Sequence, residues 1–185
     1  MKIGIYGGCF NPPHIKHFKI AQDLLKQKYV DKVIYVPTGD YYNKKDLISF
    51  EDRYNMLKIM TNNEENIMVS KISKSKHYQY TCDVLDYFSK KYKNSKIYFI
   101  CGSDNLLEFD TWKNHEDIIK KYYLLVVKRN KINLKKIDNL LKSNIIITNL
   151  KEESISSTEI RNNLNGKYLD KKVFQYIKNN KLYQK

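Results

Sequence analysis

The sequence is poor in the residues that mark secreted, metal-binding or membrane proteins. Its 185 residues contain three cysteines, Cys9, Cys82 and Cys101, an odd number without a Cys-x-x-Cys pair. That pattern argues against a disulfide framework or a zinc site and favours a reducing compartment. No apolar run approaches the roughly 18 residues of a membrane span. A strand-like run, not a signal-peptide core, follows Lys2, so we expect a cytoplasmic protein.

Arginine is also scarce, although the chain is strongly basic. The formal net charge is +14, and only Arg53, Arg129 and Arg161 are arginines among 34 basic residues. Proteins that read nucleic acid use arginine heavily for phosphate and base contacts. We therefore interpret the charge as a solvated lysine surface and expect neither a nucleic-acid nor a membrane partner. A non-catalytic nucleic-acid-binding module stays open as an alternative, as does assembly into a homo-oligomer.

What the sequence has in abundance is a regular alternation of apolar runs with helical patterns. Such alternation is typical of βαβ units around a parallel sheet. We predict an α/β fold, a Rossmann-like doubly wound parallel sheet with flanking helices, in a single domain over residues 1–185. Its core covers about 1–128 and 144–185, with a peripheral insertion at 129–143. The predicted strands are Lys2–Tyr6, Lys32–Val36, Ile67–Ile72, Lys96–Cys101, Tyr123–Val127 and Asn144–Thr148.

The first predicted strand runs directly into Gly-Gly-Cys-Phe-Asn-Pro-Pro-His-Ile-Lys-His, residues 7–17. A strand, a glycine turn and a helix start together aim backbone N–H groups at an anion, which the helix dipole also favours. Gly7 and Gly8 would let the backbone approach a ligand closely. His14 and His17 are three residues apart and would share one helix face. The stretch therefore predicts a phosphate-binding turn.

A second anion signal lies near the end of the chain. Ser156 and Glu159 form a capping-box pattern, which predicts the start of a helix. Ser157 and Thr158 add hydroxyl groups there, and Arg161 follows one turn later. Alone, this pattern is typical of an ordinary capped helix. Together with the first motif it predicts the other half of a phosphate site.

Both motifs resemble those of the HxGH-type nucleotidylyltransferases, in particular the bacterial nicotinate-mononucleotide adenylyltransferases. The first is similar to their G-G-[ST]-F-[DN]-P-x-H-x-x-H turn, and Ile155–Arg161 is similar to their ISSTxIR motif. Tyr80-Thr81-x-x-Val84-Leu85 and the stretch Ile100–Trp112 also resemble this subfamily. The motifs occur in the family's order between about residue 2 and Tyr183.

The resemblance implies adenylyl transfer from ATP to nicotinate mononucleotide in NAD biosynthesis, giving deamido-NAD and pyrophosphate. Mg²⁺ would be held by the phosphates and by no protein side chain. The nucleophile is a phosphate monoester with a second pKa of about 6, so no general base is needed. The resemblance implies catalytic roles for His14, His17, Lys44 and Arg161. The implied ATP-binding residues are Gly7, Gly8, Cys9, Phe10, His14, His17, Gly102, Asp104, Ser156, Ser157, Thr158 and Arg161.

The implied acceptor-binding residues are Thr38, Lys44, Tyr80, Thr81, Trp112 and Lys113. Trp112 would stack on the pyridine ring, and the backbone N–H of Thr81 would meet its carboxylate. The loop after the second strand departs from the family, because Thr38–Lys44 keeps the lysine and lacks the usual Pro-Pro-His wall. Nicotinamide mononucleotide or another phosphate ester therefore stays open as the acceptor. Asn11, where the family frequently has Asp, is interpreted as a tolerated change.

A further alternative is a fragment similar to class I aminoacyl-tRNA synthetases. Lys71–Ser75 resembles their KMSKS loop, and His14–His17 resembles their HIGH motif. The short interval between the two and the lack of room for anticodon or editing domains make this alternative weaker.

Overall fold

In the computed structural model, which describes residues 1–42, 44–129, 144–152 and 155–184, a six-stranded parallel sheet forms the centre of the protein. The strand order is β3-β2-β1-β4-β5-β6. The strands are β1 (Lys2–Gly8), β2 (Lys32–Pro37), β3 (Ile67–Val69), β4 (Lys96–Gly102), β5 (Tyr123–Arg129) and β6 (Ile145–Glu152). The helices are α1 (Ile15–Lys26), α2 (Phe50–Thr61), α3 (Thr81–Lys91), α4 (Ser103–Leu106), α5 (His115–Lys121), α6 (Ser157–Asn162) and α7 (Lys171–Asn179).

The helices cover both faces of the sheet, because successive strand residues point to opposite sides and both sides are apolar. In β2, Val33 and Tyr35 belong to one buried cluster, and Ile34 and Val36 belong to the other. The first cluster contains residues of α1, α2 and α7, and the second contains residues of α3 and α5. The result is a sheet between two helical layers, which confirms the predicted doubly wound fold.

Strand β1 lies at the centre of the sheet and pairs with both β2 and β4. From β1 the chain adds strands outward in one direction, and from β4 it adds them in the other. Such a switch in strand order leaves a crevice at the carboxyl ends of the two central strands, where doubly wound sheets bind ligands. Here those ends are Gly8 and Gly102.

The predicted strands agree with the structure except at β3, which ends at Val69 and does not reach Ile72. The Ser70 hydroxyl accepts a hydrogen bond from the N–H of Ile72 at 3.2 Å and bends the chain into a 3₁₀ turn over Ile72–Lys74. The predicted insertion at 129–143 lies outside the described residues except for Arg129. Within the described ranges, no helix combines the length and apolarity that crossing a membrane would require.

Candidate active site

A cleft of about 650 Å³ opens at the carboxyl edge of the sheet, where the strand order reverses. All of the site residues predicted from the sequence line it except Asp104, which lies exposed in α4 beside the cleft. The two motifs, which are about 140 residues apart in sequence, thus meet in one cleft with the predicted acceptor residues.

The turn after β1 owes its shape to packing. Phe10 has a φ of 48°, which a non-glycine residue rarely adopts, and its ring is buried against Tyr6, His17 and Tyr35. A Cβ on Gly7 would lie 2.9 Å from the Phe99 ring. The glycine is therefore required by its aromatic neighbour, whatever ligand the turn meets.

His14 and His17 stand at the first turn of α1. His14 is the N-cap residue, and the two imidazole rings stack with centroids 3.6 Å apart. The backbone N–H of His14 donates to Nδ1 of His17 at 3.2 Å. Because an accepting Nδ1 carries no proton, the ring proton of His17 lies on Nε2. His17 can therefore act as a hydrogen-bond donor through Nε2 at the cleft.

Helix α6 is joined directly to this turn. The Ser157 hydroxyl donates to the Pro12 carbonyl at 3.0 Å, and Nη1 of Arg161 donates to the Asn11 carbonyl at 2.6 Å. The predicted capping box is confirmed, since Glu159 accepts from the N–H of Ser156 at 2.8 Å and Ser156 Oγ accepts from the N–H of Glu159. Those backbone and hydroxyl hydrogen bonds lower the pKa of Glu159. The carboxylate therefore turns back onto the helix start.

Arg53 is a residue that the sequence did not indicate. Its side chain is fully buried, with Nη1 donating to the Cys9 carbonyl at 3.0 Å and Nε donating to the Ile48 carbonyl at 2.9 Å. Nη2 lies 3.1 Å from Oδ1 of Asp40, whose side chain is 61% exposed. Burial lowers the pKa of the guanidinium, and Asp40 opposes that shift. An arginine in an amphipathic helix reads as a surface residue, so no local pattern distinguishes this one.

The predicted acceptor residues Trp112, Lys113, Tyr80 and Thr81 line the same cleft. Trp112 is half-buried, with Phe99 and Phe109 rings at centroid distances of 5.5 Å. Nζ of Lys113 lies 4.3 Å from the centre of the Tyr80 ring and 3.8 Å from Oδ2 of Asp83. Thr81 is the first residue of α3, so its N–H belongs to the group that a helix start leaves without an intrahelical partner.

In the loop after β2, which lacks the family's Pro-Pro-His residues, the side chain of Tyr41 lines the cleft instead. Its hydroxyl donates to the carbonyls of Ser73 and Tyr78 at 2.9 and 3.2 Å. A Cβ at Gly39 would overlap both the Tyr41 ring and the Ser73 carbonyl. Tyr41, Tyr42 and Lys44 all line the cleft. The loop is thus closed by an aromatic side chain held by carbonyls from the segment after β3.

The charge of the cleft suits an anion. Among its described lining residues are the cations Lys44, Lys113 and Arg161 and one carboxylate, Glu108. Over the residues that the structure describes, no three His, Cys, Asp or Glu side chains cluster as a metal-binding group. The donors offered near the two motifs are hydroxyl, imidazole and guanidinium groups. This donor set fits a metal ion that arrives bound to a nucleotide.

The synthetase-like segment Lys71–Ser75 has another structural role. Lys71 and Lys74 both contact the Glu51 carboxylate, at 3.0 and 2.5 Å, and Ser73 donates to the Pro37 carbonyl at 2.6 Å. Hydrogen bonds from the two lysines lower the pKa of Glu51. The segment fastens the chain after β3 to α2 and β2.

Comparison with known proteins agrees with this geometry. Residues 5–163 match the family described as cytidylyltransferase-like. A relative from Acholeplasma laidlawii, named "Probable nicotinate-nucleotide adenylyltransferase", is 36% identical, with 97% of this chain and 96% of the relative covered. A relative of the same name from Borreliella burgdorferi is 35% identical, with 100% and 98% covered.

Among solved structures, the chain is similar to the Plasmodium falciparum nicotinic acid mononucleotide adenylyltransferase complexed with NaAD. The TM-score is 0.82 at 23% identity, with 98% of this chain and 97% of that one covered. The same Plasmodium protein complexed with APC gives the same score, with 98% and 96% covered. These similarities establish a shared fold over nearly the whole chain.

Proposed function

Because the chain belongs to the cytidylyltransferase-like family and, within it, to the nicotinate-nucleotide adenylyltransferases, we propose that it transfers the adenylyl group of ATP to nicotinate mononucleotide. The products are deamido-NAD and pyrophosphate. The observation that carries the proposal is a cleft that is lined both by the turn after β1 with the start of α6 and by the segments around Tyr80 and Trp112. A triphosphate on one side and a pyridine nucleotide on the other match its charges and its aromatic wall.

The reaction joins the acceptor phosphate directly to the α-phosphorus of ATP and releases pyrophosphate. The acceptor phosphate is largely dianionic at neutral pH and attacks without losing a proton to the protein. The protein's task is to position two anions in line and to stabilise the charge that develops on the phosphate oxygens. No covalent intermediate is required.

The residues have distinct roles in this scheme. His17 donates through Nε2 to an oxygen of the α-phosphate, beside His14. Arg161, Ser157 and Thr158 hold the β- and γ-phosphates. Lys44 offsets the charge of the acceptor phosphate. The triphosphate is surrounded by Ser156 and by the backbone at Gly7, Gly8, Cys9 and Phe10. The adenosine contacts Gly102 and Asp104. The acceptor is held by Thr38, Tyr80, Thr81, Trp112 and Lys113.

Mg²⁺ held with ATP by the phosphates, and by no protein side chain, would neutralise charge on the triphosphate. The reducing compartment suggested by the cysteine content supports a cytoplasmic location. Residues 1–185 act as one domain in this proposal, with 129–143 peripheral to the site.

The test is pyrophosphate release with ATP and either nicotinate or nicotinamide mononucleotide. We expect a higher kcat/KM for the acid, because the helix start at Thr81 and the ammonium of Lys113 favour a carboxylate. Nicotinamide mononucleotide is the second candidate acceptor, since the loop at 38–44 departs from the family pattern. Equal use of the two acceptors, or preference for the amide, would contradict the assignment.

A further inference from the structure

Asn11 lies at the meeting point of three distant parts of the chain. The residue is 3% exposed, and its Nδ2 donates to the Asp46 carbonyl at 2.7 Å. Its Oδ1 accepts from the hydroxyl of Tyr183 at 2.9 Å and from the N–H of Ile48 at 3.4 Å. Its own carbonyl accepts from Arg161 at 2.6 Å. One side chain therefore links the turn after β1, the loop after β2 and the segment after α7.

These partners require an amide at position 11. The Asp46 carbonyl can only accept, and the Ile48 N–H can only donate, so the two ends of the Asn11 side chain are distinguished by their neighbours. A carboxylate could serve Ile48 and Tyr183 but would place an anion against the Asp46 carbonyl. Both ends of the Asn11 amide thus have a specific use in this chain.

Tyr183 fixes the amide from the other side. Burial raises the pKa of its hydroxyl, against the effect of the nearby Arg161 and Arg53 guanidinium groups, so the group keeps its proton and donates. The residue lies beyond the end of α7, 172 positions from Asn11. The segment after α7 therefore reaches the back of the cleft.

We propose that Asn11 and Tyr183 are positioning residues for adenylyl transfer, which lock the acceptor loop against the phosphate turn. The acceptor loop is residues 38–42 and 44–48, and the phosphate turn is residues 7–14. The loop carries Lys44 and the Tyr41 wall, so the lock sets how close the two reacting phosphates lie. A misplacement of about 1 Å can cost about 10²-fold in rate. This inference rests on the proposed function for the identity of the two substrates.

Two variants break the lock, and a third is the matched control. Tyr183→Phe removes only the hydroxyl, and Asn11→Asp removes the donor to Asp46. Tyr176→Phe removes a comparable hydroxyl from α7, which donates to Oδ1 of Asp52 at 2.9 Å and accepts from Asn55 at 3.2 Å, away from the cleft. Because the Tyr176 hydroxyl joins α7 to α2, Tyr176→Phe measures the loss of stability that comes from removing a tyrosine hydroxyl of this region without affecting the lock.

Steady-state kinetics with ATP and nicotinate mononucleotide separate positioning from stability. We expect Tyr183→Phe to lower kcat/KM for the acceptor about 5-fold and Asn11→Asp about 20-fold, in line with lost neutral and repulsive polar contacts. The KM for ATP should change less, the double variant should lose less than the product of the two, and Tyr176→Phe should keep parent kinetics. An unchanged kcat/KM for the acceptor in both variants, or losses that only follow the melting temperature, would overturn the proposal.

Peptide-level deuterium exchange over residues 44–48 gives a readout that does not depend on the reaction. Exchange should be faster in Tyr183→Phe and Asn11→Asp than in the parent and in Tyr176→Phe. Parent-like exchange in both lock variants would overturn the lock. If the parent protein released no pyrophosphate from ATP and nicotinate mononucleotide, the proposed function would fail while this measurement still decided the lock.

Discussion

The cleft has two halves that are held in different ways. In the phosphate half, formed by the turn after β1 and the start of α6, guanidinium groups hold the backbone. In the acceptor half, formed by the loop after β2 and the segments around Tyr80 and Trp112, side chains are exposed at the surface. Arg53 and Arg161 donate to the carbonyls of Cys9 and Asn11, on either side of Phe10. Across the cleft, Tyr80 is 43% exposed and the Lys113 side chain 46%. Charged donors thus hold the backbone of the phosphate half, whereas Tyr80 and Lys113 of the acceptor half are partly exposed.

This difference matches what each half must do. Stabilising charge at the α-phosphate requires donors that do not rearrange during the reaction, because preorganisation is the source of their effect. Choosing an acceptor depends on the side chains that line the acceptor half, and loops tolerate changes of side chain better than a buried turn.

The largest effect on the rate of the reaction should come from a change in the phosphate half. His17→Ala should lower kcat for pyrophosphate release by about 10²-fold or more, because one preorganised donor to the developing charge is lost. Folding should stay intact, as checked by circular dichroism. His77→Ala, which changes an exposed histidine, is the control and should match the parent. Near-normal release by His17→Ala would show that this histidine does not stabilise the reacting phosphate.

Removing the Arg53 guanidinium, which holds the backbone of the phosphate half, should lower the stability of the protein. Arg53→Met should lower the free energy of unfolding by about 3 kcal/mol, because it leaves the Cys9 and Ile48 carbonyls buried without their donor. Urea denaturation measures the difference. Asp40→Asn, at the exposed partner, should cost less than about 1 kcal/mol. Equal costs for the two variants would mean that the ion pair, and not the carbonyl contacts, holds the turn.

A change at Tyr41, in the acceptor half, should have a smaller and more selective effect on the KM values. Tyr41→Phe loses the hydrogen bonds to Ser73 and Tyr78 and should raise the KM for nicotinate mononucleotide about 5-fold, with little change in the KM for ATP. Tyr176→Phe, whose hydroxyl lies away from the cleft, serves as the matched control. A rise in the KM for ATP of the same size would erase the distinction between the halves.

The smallest effect should come from the exposed cation of the acceptor half. Lys113→Ala should reduce the preference for nicotinate over nicotinamide mononucleotide about 3-fold, since an exposed charge is screened by water and salt. The ratio of the two kcat/KM values at low and at physiological ionic strength measures it. A preference that is unchanged at both would assign the choice of acceptor to the backbone at Thr81 alone.

Local patterns in the sequence carried the prediction of both phosphate motifs. The capping box of Ser156 and Glu159 spans three residues, and the strand-to-helix turn at Gly7 follows from an apolar run and a glycine pair. Alternating strands and helices then placed the two motifs at one edge of the sheet. The prediction that the third strand extends to Ile72 was wrong, because Ser70 makes a local hydrogen bond that the pattern of apolar residues does not reveal.

Arg53, Asn11 and Tyr183 could not be assigned in the same way. Their decisive contacts join residues 44 and 172 positions apart, and nothing in their immediate neighbours marks them as buried polar groups. A charged residue in a helix and a tyrosine near the end of a chain are each most often surface groups. The three-dimensional fold is what turns them into supports of the site.

The order of the strands also has a consequence for how the protein is made. Since β1 precedes α6 and Tyr183 in the chain, the phosphate turn emerges from the ribosome before the residues that contact it. The first five strands can pair before Arg161 is available to hold the Asn11 carbonyl. A growing chain therefore carries an incomplete phosphate site until α6 docks against the turn after β1.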